Sequence, residues 1–352
     1  MAKSPGKEGH LGSKPIAAPF SLCLLLAVSA ACSRSSVRVD PVDGILDAFR
    51  SHQIVALGEG GHGSLPAHAF RLSLLRDSRF PSVVNDLVVE FGNSRYQNVM
   101  DRFIQGGDVP HAELRRAWED TTMPHAIWDV PIYEEFFRAV RDVNAALPPA
   151  RKLRVLLGDP PIDWQSIRTH SEAVEWIGRR GHVIDVIKQE VLPQNRRALM
   201  VYGDGHFFRY GRWVGTSEAT PTLVNRLEQH GVKTFSIWTN VTAQLERMQR
   251  DIASWPTPSL TVLRGTRLGQ LNSKYFTGLE TDPPTKMEEQ YDAVLYLGPV
   301  SSITWSEMTP ALCTDASYTK MRLARMALAS PGGSAGADTA EFKKQCAQFA
   351  SR

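Results

Sequence analysis

Ile54-Val55-Ala56-Leu57-Gly58-Glu59-Gly60-Gly61-His62-Gly63 decides how the rest of the chain is read. Its first four residues form a short apolar run with two β-branched members, which predicts a buried strand. A glycine-rich loop follows, holding a carboxylate and an imidazole three residues apart. Ser64 offers an N-cap, Pro66 suits a first helical turn, and Leu65, Ala69, Leu72 and Leu75 recur at helical spacing. The unit is strand, polar loop, helix. In an open α/β sheet such loops lie at the carboxyl ends of strands, where ligands bind.

Three further apolar runs end in the same way. Asp86–Gly92 carries Glu90 at its end, Leu153–Leu157 leads into Gly158-Asp159, and Ala198–Tyr202 leads into Gly203-Asp204-Gly205-His206. Strands are also predicted over 233–238, 259–263 and 293–297. Helices are predicted over 42–49, beyond Asn93 or Ser94 through Phe103, over 132–143, over 171–191 despite Gly181, and over 221–229. The segment 106–130 lacks clear periodicity and suits an insertion or lid. This alternation predicts a three-layer α/β fold, with a mostly parallel central sheet and helices on both faces.

Charged side chains are rarely buried alone, so acids at the ends of apolar strands call for partners. The expectation is one cleft gathering Glu59, Glu90, Asp159, Asp204, His62 and His206, suited to acid/base work on water or to holding a hard divalent ion. Each has a duller reading. Asp159 can cap the next helix, Asp204 can favour its glycine turn, and Arg95 can be either a partner of Glu90 and substrate or a solvated cation. His68, His111, His125 and His170 are read as surface or lid residues. No Gly-x-Ser-x-Gly elbow occurs, which argues against a serine esterase. Gly58-x-Gly60-x-x-Gly63 fits a dinucleotide fingerprint, but Glu59 would meet the phosphates, and nucleotide binding is set aside.

Composition bounds the class. At 352 residues, 42% hydrophobic and 22% charged, the chain is globular, and its formal charge of +3 gives no nucleic-acid footprint. Residues 1–31 read as a signal peptide, with lysines before an apolar core and small residues before Cys32. Cys32 is expected to carry a lipid, making an exported protein that is periplasmic or membrane-anchored. Residues 32–40 are a tether, 41–320 a single α/β catalytic domain, and 321–352 a tail of short helices. In an oxidising compartment Cys313 and Cys346 remain as a pair, disulfide-bonded or as two thiols.

The opening loop, the strand ending in Glu90, the segment from Trp128 to Glu134, Arg141-Asp142-Val143-Asn144 with the strand to Gly158-Asp159, and Tyr291-Asp292-Ala293-Val294-Leu295-Tyr296 together resemble the erythromycin esterase family. That family sits in a wider group with haem-binding, iron-regulated lipoproteins and metal-dependent proteases that inactivate Wnt. The resemblance runs over about residues 50–300. It implies that His62 is the general base activating water, with Glu59 orienting it, and that Glu90 and His206 complete the polar centre. It also implies that Arg95 is a substrate or transition-state contact, and the strand-end acids Asp159 and Asp204 are read beside it as groups that meet a small-molecule substrate. The loop departs from the esterases at Gly60-Gly61, and the chain is shorter, so macrolide specificity does not carry over. Two classes follow. One is an ester hydrolase, with or without a divalent metal on Glu59, His62, Glu90 and His206. The other is a binding protein that holds haem or a metal through His62, His206 or Tyr202.

Overall fold

The computed structural model describes residues 38–211, 221–239, 252, 254–277, 280–330, 339–344 and 346. The expected signal, Cys32 and most of the tether lie outside them. Eight strands form one sheet: β1 (Arg38–Val39), β2 (Ile54–Gly58), β3 (Asp86–Asn93), β4 (Arg154–Asp159), β5 (Ala198–Tyr202), β6 (Thr234–Trp238), β7 (Ser259–Val262) and β8 (Ala293–Tyr296), in the order β1-β7-β8-β6-β2-β5-β3-β4. The six strands from β8 to β4 run parallel, while β7 is antiparallel to both β8 and β1.

Full burial of β2 and β5 explains their unbroken apolar runs, since helices cover both faces of the sheet. Val55, Leu57, Val89, Leu157 and Val201 face one layer, packed with Phe70, Leu74, Met100, Phe136 and Phe137 from the helices Leu65–Arg76, Gln97–Ile104 and Pro131–Ala145. Ile54, Ala56, Val88, Leu156 and Met200 face the other, against Val183, Ile187, Val224 and Leu227 of the helices His182–Glu190 and Leu223–Gln229. Truncating such a side chain to alanine costs about 2–5 kcal/mol. The α/β architecture is the one the sequence predicts. Among the described residues no helix is long and apolar enough to cross a membrane.

Some expectations are corrected. The helix expected over 171–191 is two, His170–Ile177 and His182–Glu190, because Gly178 ends the first and Gly181 opens the second. A boundary at residue 320 falls inside the helix Ala316–Ala329, which is part of the domain. Its Arg322 pairs with Asp129 (2.5 Å), to which Tyr318 also donates, and its Arg325 pairs with Asp120 (2.5 Å). A disulfide joins Cys313 to Cys346 and returns the tail to this helix's base. β3 does not end at Glu90. It runs on to Asn93 through an irregularity in its pairing with β4, and Glu90 sits at that break.

Candidate active site

β2 pairs with β5 so that Gly58 lies opposite Tyr202, and β3 pairs with β5 so that Val89 lies opposite Val201. This register places Glu59, Glu90 and Gly203 side by side at the carboxyl edge. Glu59 N donates to Tyr202 O (2.9 Å), which ties the first loop to the end of β5. Gly60, Gly61 and Gly63 all have positive φ, which favours glycine strongly, and a Cβ on Gly61 would come within 2.8 Å of the Trp305 ring.

The turn folds His62 back onto Glu59, whose Oε2 lies 2.8 Å from Nδ1. A carboxylate only accepts, so Nδ1 carries the proton and Nε2 is left for the cavity. Glu59 is fully buried. Its Oε1 accepts from the Tyr133 hydroxyl (2.6 Å), and Arg71 donates to its carbonyl (3.2 Å) and stands 3.9 Å from Oε1. The Tyr133 hydroxyl in turn accepts from Gly63 N (2.9 Å). Burial, then the Glu59 charge, keep this phenol protonated. Trp128 packs its ring edge-on against His62, at 4.5 Å between centroids.

Glu90 faces His62 across Gly203. Its Oε2 accepts from Gly203 N (2.7 Å) and its Oε1 lies 3.1 Å from His206 Nε2. A Cβ on Gly203 would sit 3.1 Å from His62 Cε1 and 3.5 Å from Glu90 Oε2, so the glycine keeps that gap open. Glu59, His62 and Glu90 offer ligand atoms within 4.8 Å of one another.

Electrostatics divide the acids. Burial opposes the Glu90 charge, but the charge and hydrogen bond of His206, the charge of His62 and the Gly203 N–H outweigh it and hold the pKa down to about 2. For His62, burial disfavours the cation, yet the Glu59 hydrogen bond and the charges of Glu59, Glu90 and Asp204 raise its pKa to about 9. Asp159 goes the other way. Burial, aided by the nearby Glu90 charge, pushes it up to about 8 against the two hydrogen bonds it accepts from Thr122.

His62, Glu90, Asp159 and His206 therefore line one cavity of about 430 Å³, together with Tyr202, Trp128 and Arg180. Arg180 enters it from the break between the two helices that the periodicity reads as one. The other expected site residues lie elsewhere. Asp204 is buried and turned inward, accepting from Gly60 N (3.0 Å) and Thr239 N (2.6 Å), and so joins the loops rather than facing the cavity. Arg95 pairs with Asp163 (3.0 Å) and is half exposed; Glu90 has His206 instead. The Tyr202 hydroxyl is buried, and a Cβ on Gly158 would be 1.8 Å from it. His68 is not a surface group: it is buried and bonded to Glu135 (3.1 Å), with its pKa lowered to about 4 by burial and by Arg71. His125 lines the cavity. Arg71 and Tyr133 are absent from the sequence reading, although Arg71 lies two turns into the helix opened by Ser64, on the face that meets Glu59.

No family model matches the chain, and no curated protein is similar to it in sequence. Among solved structures it is similar to a succinoglycan biosynthesis protein, with a TM-score of 0.53 at 10% identity over 79% of this chain and 97% of that one. It is also similar to an erythromycin esterase mutant in its open conformation, with a TM-score of 0.51 at 11% identity over 76% of this chain and 94% of that one. A Bacillus cereus protein matches at a TM-score of 0.51 and 10% identity, over 79% and 97% of the two chains. The chain thus shares the α/β fold of erythromycin esterase and of the succinoglycan biosynthesis protein, the fold that the sequence resemblance implies.

Proposed function

We propose that this protein hydrolyses a carboxylic ester or a closely related bond, with His62 as the base that activates water. The observation that carries this reading is the Glu59–His62 pair, whose free ring edge faces Glu90 across the open gap at Gly203. Glu59 fixes the tautomer and holds the ring, and it stabilises the imidazolium formed when Nε2 takes the proton of water. The same charges that favour the imidazolium make His62 a strong base. They also leave it mostly protonated at neutral pH, so its working fraction grows on the alkaline side. The water oxygen adds to the carbonyl carbon, the bond to the alcohol breaks, and the proton passes to the departing oxygen.

Glu59, His62 and Glu90 form a donor set that suits a hard divalent ion. Glu59 is fully buried and holds His62 and Tyr133, so His62 Nε2 and the Glu90 carboxylate, which also meets Gly203 N and His206, are the groups that would hold it. A bound ion would polarise the carbonyl and acidify a bound water. The haem-binding alternative has no comparable observation behind it. The proposed setting is an exported one, supported by the signal-like residues 1–31 and the disulfide between Cys313 and Cys346.

Turnover of a panel of simple esters and lactones by the wild type and by His62→Ala, with and without chelator, tests the reading. Loss of activity in the variant supports it, and undiminished activity overturns His62 as the base. Sensitivity to chelator assigns a role to a metal.

A further inference from the structure

His62 and His125 line a second cavity, of about 640 Å³, besides the polar one. Its walls have a different chemistry. Val130, Trp305, Met308, Met326 and Phe342 surround it, and the carboxylates among its lining residues, Glu307 and Glu341, are exposed at the rim. The volume lies within the range of small-molecule sites. Met308 and Met326 are unbranched and polarizable, the kind of side chain that adapts to irregular apolar groups. Phe342 is buried there although it comes from the tail beyond residue 330, and Cys346, four residues on, is bonded to Cys313.

The two chambers meet at the proposed base. An ester has two limbs, and cleavage treats them differently, because the departing alcohol oxygen must receive a proton. His62 and His125 line both chambers, and the further partly buried groups able to supply or relay one, Asp159 and His206, line the polar chamber. Taking the hydrolytic reading above as its basis, we propose that the chamber of Val130, Trp305, Met308, Met326 and Phe342 binds the acyl limb of the substrate, an apolar group of medium length. The carbonyl then sits at His62 and the alcohol limb occupies the polar chamber. Water adds to the carbonyl carbon, the acyl–oxygen bond breaks, the alcohol leaves with the proton, and the carboxylic acid remains in the apolar chamber.

Hydrolysis of p-nitrophenyl acetate, butyrate and octanoate by the full-length protein tests this. Burial of added methylenes predicts kcat/KM about tenfold or more higher for octanoate than for acetate. Met326→Trp fills the chamber and should lower octanoate turnover about tenfold more than acetate turnover, whereas Met326→Leu keeps the wild-type ratio. Phe342→Ala, which opens the chamber without adding bulk, should weaken the octanoate preference if Met326→Trp fails to fold. A flat chain-length profile in the wild type overturns the proposal, as does an unchanged ratio in folded Met326→Trp or in Phe342→Ala. If no ester is turned over at all, the hydrolytic reading fails. Calorimetry with octanamide and acetamide then decides the subsite on its own: selective binding of octanamide that Phe342→Ala weakens keeps it, and no selectivity removes it.

Discussion

The hydroxyl of Tyr133 stands between Glu59 and Gly63, donating to Glu59 Oε1 at 2.6 Å and accepting from Gly63 N at 2.9 Å. One side chain, from a helix more than sixty residues downstream of the loop, thereby fixes both the carboxylate that orients His62 and the backbone just after it. Tyr133→Phe leaves a buried carboxylate oxygen and a buried N–H unpaired, and each such group costs about 1–3 kcal/mol. Urea unfolding should show a loss of that size together with reduced ester turnover. A variant as stable and as active as the wild type would remove Tyr133 from this role.

The His62 pKa also makes a stability prediction. In the folded protein it is raised to about 9, above the value near 6.5 of an unfolded chain. The stabilisation is therefore fully present below about pH 6.5 and is lost as pH rises through 9. Urea midpoints of metal-free wild type and His62→Gln should differ most at the acid end and converge above pH 9. A difference that grows with pH has the wrong sign.

Asp129 and Arg322 test the attachment of the C-terminal helix. Their contact is 2.5 Å, and both side chains are almost wholly buried. Asp129→Ala leaves the Arg322 charge uncompensated and should destabilise the fold by about 3–5 kcal/mol, readable as a fall in the urea midpoint. A loss below about 1 kcal/mol would contradict the burial of this pair.

The disulfide closes a loop of 33 residues, and removing one of that length costs about 3–4 kcal/mol in the chain-entropy account. Cys346→Ser should lose stability on this scale. It should also lose octanoate turnover more than acetate turnover, because Phe342 is released from the apolar chamber. Equal loss for both esters would separate the staple from the subsite.

Much of this was legible in the chain because β2 and β5 are wholly apolar runs, β3 and β4 carry apolar cores, and each leads to a polar end. Strands buried on both faces favour such runs, and their common carboxyl edge follows from their being parallel. His62, Glu90, Asp159 and His206 could be gathered by that argument alone. Asp204 could not be told from them, since the direction it turns depends on Gly60 and Thr239, residues far apart in the chain. Tyr133 and Arg71 come from helices, where the face that meets the site is set by packing rather than by spacing. Arg180 was hidden by a helix break that apolar periodicity bridges and Gly178 and Gly181 enforce.

The central claim is that His62 works as a base whose proton affinity is set by the acids around it, and the pH dependence of ester hydrolysis measures this most directly. In metal-free wild type, kcat/KM should rise with pH, reach half its plateau near pH 9 and level off above it. Glu90→Gln removes one of the charges that favour the imidazolium, so the rising limb should move to lower pH. A limb that stays in place in Glu90→Gln, or that persists in His62→Ala, would contradict the account.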